Sequence, residues 1–150
     1  MSWITLTPND LTERLTAPEY SAIKTAATGS FGNPVPDVLA GVVAEVRGRV
    51  AACARNRLGP EGTIPEELRA TALAIARWRV LSRLPGVGKL QDDARRQEYQ
   101  DALALLGDVA ACRFAIVQPT ETADGETGGA AAELAVSSRR RTSASRLEGL

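Results

Sequence analysis

The chain contains no histidine. Its absence removes Ser-His-Asp and Cys-His nucleophile pairs and every histidine-bearing metal site. The two cysteines, Cys53 and Cys112, form no Cys-x-x-Cys motif, which excludes a zinc ribbon or a dithiol redox centre. Each lies in a helical pattern, and the expectation is a pair of small buried apolar residues rather than a disulfide or metal pair. Aromatic residues are 4% of the chain, and with abundant alanine this favours close-packed helices over a sheet. Charge of either sign is not in excess: 18 Lys and Arg balance 18 Asp and Glu. Bulk charge therefore nominates neither nucleic acid nor membrane, while a net charge near zero favours self-association. No apolar run approaches the roughly 18 residues of a spanning helix. The opening MSWITLTPNDL lacks a basic segment followed by an apolar one, so a cytosolic chain is expected.

What is present is helix. Thr7-Pro8-Asn9-Asp10 opens a first short helix, with Thr7 as cap, Pro8 at the first position and Asp10 against the positive end. Ala17-Pro18-Glu19 restarts a helix to about Thr28, and Gly29 to Pro36 is loop chemistry in which Phe31 anchors to the body. From Pro36 to about Arg55, Leu39, Val42, Val43, Val46, Val50 and Cys53 form one narrow apolar stripe. Four valines lower helix propensity, so packing of the stripe has to hold this helix.

The best-patterned stretch runs from Gly62 to Ala110. Thr63-Ile64-Pro65-Glu66 is expected to be a capping box opening a helix to Leu84. Leu68, Ala72, Leu73, Ile75, Ala76, Val80, Leu81 and Leu84 surround much of that helix, making it the central one. Arg69, Arg77, Arg79 and Arg83 share the remaining arc, with Trp78 at its border. After Pro85-Gly86, a further helix begins near Lys89, with Asp92 and Asp93 in its first turn and Tyr99, Ala102, Leu103, Leu106, Val109 and Ala110 inward. Arg113 to Val117 suggests a short extended segment. The expected fold is an all-α bundle of four to five helices, occupying residues 1–118.

Residues 119–150 differ in character and form a separate C-terminal arm. Between 119 and 135 there are four acids and no base, whereas 137–150 carry Arg139, Arg140, Arg141 and Arg146 against one acid, with Leu147 and Leu150 as apolar tips. Such a zwitterionic segment reads either as a docking arm or as a solvated tail.

No catalytic set emerges. Glu66 and Glu67 resemble an acid pair, and Asp92 and Asp93 a metal pair, but both sit where a helix start favours negative charge. Gly86-Val87-Gly88-Lys89 resembles the end of a phosphate-binding loop; Arg83 replaces its first glycine and Leu90 its Ser/Thr, and it follows a helix. The expectation is therefore no enzyme, no metal and no cofactor. A nucleic-acid reading rests on the eight arginines against three glutamates between Arg47 and Arg83. The connector from Asn56 to Gly62 is too long for a helix-turn-helix. Inter-subunit pairing of these arginines with carboxylates is the preferred alternative.

The helical block also carries a resemblance. Ile75-Ala-Arg-Trp78-Arg-Val-Leu81-Ser-Arg-Leu84-Pro85, then Arg96-Gln-Glu98-Tyr99-Gln-Asp101-Ala102-Leu-Ala-Leu-Leu106, Val109-Ala110 and Pro119 resemble the Mu-like tailed-phage head–tail joining proteins. Asp10-Leu11-Thr-Glu-Arg14-Leu15 is similar to their opening helix. The similarity covers about residues 7–119; Ala111-Cys112 stands where the family commonly has glycine. The resemblance implies a virion protein of the phage neck, assembled in the host cytoplasm: a head–tail adaptor ring of twelve copies beneath the portal protein. Its partners would be the portal, neighbouring copies and a stopper or tail-side neck protein, with genomic DNA passing through the lumen and no membrane. A closed ring needs heterologous contacts. The candidate complements are Arg69, Arg77, Arg79 and Arg83 on one flank and Asp92 and Asp93 on the other, with Arg139, Arg140, Arg141, Arg146, Leu147 and Leu150 as the arm that docks on portal or neighbour. The alternative is a helical DNA-binding or packaging accessory protein using the arginine face.

Overall fold

A computed structural model describes residues 2–30 and 32–120. Phe31 and the calls on the C-terminal arm beyond Thr120 lie outside the described residues. The order is β1 (Trp3–Thr5), α1 (Pro8–Thr12), α2 (Ala17–Thr28), α3 (Val35–Ala52), β2 (Thr63–Pro65), a 3-10 turn (Glu66–Leu68), α4 (Arg69–Ser82), a second 3-10 turn (Gly88–Leu90) and α5 (Asp93–Ala110). The fold is an all-α bundle with a two-stranded ribbon at one end.

Helices α3, α4 and α5 pack on one another, and α1 lies against α3 and α4. The expected stripe of α3 turns inward except at Val43, which is only partly covered: Val42, Val46 and Val50 are at most 1% exposed, and Leu39 is buried beside them. All eight apolar residues assigned to the central helix pattern are buried. On α5, Ala102, Leu106 and Val109 are buried, whereas Leu103 and Tyr99 are only partly covered. Trp78 and Tyr99 stack, with ring centroids 5.6 Å apart, and close the edge between α4 and α5.

Four local expectations are corrected. Thr63 to Pro65 is no helix cap; it is strand β2, antiparallel to β1 with Ile4 opposite Ile64. The Thr63 hydroxyl donates to the Pro60 carbonyl at 2.6 Å, and α4 starts only at Arg69. A strand run of three residues with Ile64 fully buried won over the local capping signal, because the N-terminal segment supplied a pairing partner. The last helix starts at Asp93, with the Asp92 carboxylate capping it from outside by accepting the Arg95 N–H at 2.8 Å. Residues 113–117, expected as a short extended segment, pair with no strand among the described residues.

The fourth correction concerns the cysteines. Cys53 and Cys112 form a disulfide, with Cα atoms 5.3 Å apart. It ties the C-terminal end of α3 to the residues just after α5. Cys112 adopts a left-handed backbone, φ 61°, and the Arg55 guanidinium donates to its carbonyl. Cys53 is buried as expected, but it follows the last residue of α3, and Cys112 lies beyond α5 and is only partly covered; helical periodicity carries no information on whether two positions 59 residues apart in sequence meet.

Candidate interaction surface

The four arginines expected to share one outer arc do not form one face. Arg77 is buried and grips the equally buried Glu19 of α2: Nε and Nη2 donate to Oε1 at 3.0 and 2.8 Å, and Nη2 to Oε2 at 2.6 Å. The Thr16 N–H adds a further bond to Oε2 at 2.7 Å. Burial alone would raise the Glu19 pKa, but these donors outweigh it and hold the carboxyl below its ordinary value. Arg69 pairs with Asp10 of α1. The Asp10 carboxyl is held low chiefly by the Thr7 N–H, against some burial, with the Thr7 hydroxyl and Arg69 adding to the effect. Arg79 pairs with Glu45 of α3 at 2.6 Å. Three arginines of one helix thus bind α2, α1 and α3 respectively, so they serve as internal clamps within one subunit.

Arg83 is the exception. It caps the end of α4, exposed, beside a shallow polar hollow lined by Asn33, Pro34 and Asp37. On α5, Asp92 is committed to its cap, whereas Asp93 is 96% exposed and lies 3.4 Å from Arg96. Of the proposed complementary flanks, Arg83 and Asp93 remain open to a neighbour. Arg139, Arg140, Arg141, Arg146, Leu147 and Leu150 lie outside the described residues.

Two features not anticipated from sequence organise the opposite end. The first is a hub at Trp3. Its ring lies against Gly59, where an added Cβ would meet the indole at 2.5 Å, so only glycine fits. The Arg47 guanidinium carbon is 5.9 Å from the ring centre, and its nitrogens donate to the carbonyls of Gly59, Pro60 and Thr63. The indole N–H donates to the Val117 carbonyl at 3.2 Å. The tandem acids attach the N-terminal segment and the segment after α5 here: Glu67 accepts the Val117 N–H, and Glu66 the Ser2 N–H at 3.4 Å. Gln118 continues the contact, accepting from the Arg57 N–H and donating to Asn56.

The second feature is an open, largely apolar groove of about 600 Å³ along the outward side of α3. Leu6, Pro8, Pro36, Leu39, Ala40, Val43 and Ala44 line it, with Glu61 and Arg47 toward one end. The outward residues of α3 are small: Ala40, Gly41, Ala44 and Gly48 are exposed, and a Cβ at either glycine would meet nothing within 4 Å. Among the described residues, no helix is long and apolar enough to cross a membrane.

A family model described as Bacteriophage Mu, Gp36 matches residues 6–134. The match spans the whole helical bundle and runs past Pro119 into the acidic part of the arm. No curated protein and no solved structure matches the chain.

Proposed function

We propose, from the premise that this chain belongs to the Bacteriophage Mu Gp36 family, that it is the head–tail adaptor of a phage neck. Membership makes it a phage structural or morphogenesis protein. The finer reading is a ring of copies, twelve by the resemblance noted above, seated under the portal protein and joined below to a stopper or tail-side component, with DNA passing through the lumen. In this reading the chain is no enzyme and holds no cofactor.

The observation that carries the proposal is the family match over the entire bundle, 6–134. The geometry supports it in kind. Internal clamps, a disulfide and a ribbon end that holds the segment at Val117 make a stiff block, while the groove on α3 and the pair Arg83 and Asp93 leave distinct flanks. A ring that closes needs unlike surfaces on its two sides. The rival DNA-binding reading draws less support, because three of its four helix arginines are already engaged by carboxylates of the same subunit.

Electron microscopy of purified particles with this chain labelled is the test. A ring at the portal vertex is the expected result; absence from the particle would overturn the adaptor reading. Deleting residues from Pro119 onward is expected to leave heads and tails unjoined, and normal infectious particles from that truncation would remove the arm from the joining step.

A further inference from the structure

We propose that the apolar groove on the outward side of α3 receives residues 139–150 from a neighbouring copy of this chain. The inference rests on the adaptor-ring reading and names the partner of its C-terminal segment.

Four observations lead to this pairing. The groove is apolar along Leu6, Leu39 and Val43, and its walls at Pro8, Pro36, Ala40 and Ala44 are low. Gly41 and Gly48 interrupt the same 18-residue helix outside the groove's lining, at exposed positions that nothing among the described residues approaches. Each costs roughly 1 kcal/mol of helix propensity relative to alanine, with no internal packing gain; close approach of another chain supplies the reason.

The third observation is charge. Arg47 at the groove end spends its guanidinium on three backbone carbonyls. Glu61 on the groove wall is exposed and has no ion-pair partner among the described residues. The free charge on the rim is therefore the Glu61 carboxylate. Residues 139–150 offer the complement: Arg139, Arg140, Arg141 and Arg146 for the rim, Leu147 and Leu150 for the floor.

The fourth is position. Val117 is bonded to Trp3, whose ring lies on Gly59 next to Arg47, so the chain passes Pro119 close to the groove's Arg47 end. Eighteen residues then separate Thr120 from Arg139, a contour of up to about 65 Å, enough to span to the next subunit. One copy's segment in the next copy's groove is a contact between two unlike surfaces, the kind that closes a ring.

The experiment uses the full-length chain with a photoreactive amino acid at exposed position 44, irradiated across a range of protein concentrations. The expected result is a product of twice the chain mass whose yield rises with concentration and whose linked peptide falls within residues 139–150. The same group at exposed position 104 on α5 should give no such product. Reversing charge with Glu61→Lys should lower the yield several-fold, and combining it with Arg139→Glu and Arg140→Glu should restore it. Crosslinks confined to one chain, crosslinks to the helical body, or no product at any concentration would each overturn the proposal. The adaptor reading is tested separately by locating the chain in particles. A neck protein whose groove captures nothing ends this inference alone, and a groove that captures the segment in a chain absent from the neck ends only the adaptor reading.

Discussion

Helix α3 has two faces that follow opposite rules. Inward, Val42, Val46 and Val50 are sealed against α4 and α5, and Cys53 finishes the row with a covalent link. Outward, Ala40 and Ala44 line a groove, and Gly41 and Gly48 are exposed on the same helix. The inward face uses residues that weaken a helix and are rescued by burial; the outward face uses residues that weaken or barely support it and receive no rescue within the subunit. A face that serves folding is legible by what it touches. The outward face has a reason only if something outside the subunit completes it.

The largest test of that contrast is on the inward side. Arg77→Ala should destabilise the protein by about 3–5 kcal/mol, since it strands the Glu19 carboxylate in the core. Urea unfolding reads this, and a loss below 1 kcal/mol would mean that the pair is solvated. The same pair carries a pH signature. Glu19 is held below its ordinary pKa in the fold, so its contribution is complete above its unfolded pKa and is lost as pH falls through the folded value. Asp10 acts in the same direction. Melting curves of the parent chain should therefore fall on acidification more steeply than those of Glu19→Gln.

Next in size is the covalent end of the inward face of α3. Breaking Cys53–Cys112 with reductant, or by Cys53→Ser, should cost about 2–4 kcal/mol because it frees a 59-residue separation in the unfolded chain. An unchanged melting temperature with and without reductant would show that the thiols are unpaired in solution. Val46→Ala, fully buried, should cost about 2–3 kcal/mol from lost burial and the cavity left behind.

The smallest effect has the opposite sign. Gly41→Ala on the outward face should stabilise the isolated subunit by about 1 kcal/mol, because helix propensity improves and no atom is in the way. Placed beside Val46→Ala on one helix, it separates the faces directly. Destabilisation by Gly41→Ala would mean that the outward face is packed within the subunit. Stabilisation accompanied by weaker crosslinking at position 44 would tie the glycine to the neighbour.

Much of the bundle was legible in the order of residues. The stripe on α3 and the ring of apolar positions on α4 followed from helical spacing alone, because a helix core face repeats with a fixed period. Thr7-Pro8-Asn9-Asp10 announced α1 for the same local reason, and the capping box there is formed. Thr63-Ile64-Pro65-Glu66 carried an equally good local signal and failed, since Trp3 to Thr5 lay sixty residues away and offered a strand. Arg77 failed similarly. Its place on an arc with Arg69, Arg79 and Arg83 was inferable, but its burial depends on Glu19 being carried to it by α2. Arg83 and Asp93 are exposed, as their places at helix ends predict, whereas no spacing in the sequence marks the groove. Small residues such as Gly41 and Gly48 give no periodic signal of their own.

The sequence by itself determined that this is a helical bundle with no histidine chemistry, where its main helices lie, and which side of each faces the core. Those are properties of spacing and composition, readable one element at a time. Tertiary packing set who meets whom: Cys53 with Cys112, Arg77 with Glu19, Trp3 with Gly59 and Val117, and an open groove where α3 faces Leu6, Pro8 and Glu61. Pairings across tens of residues depend on how the elements are placed relative to one another, and only packing of the whole core fixes that placement.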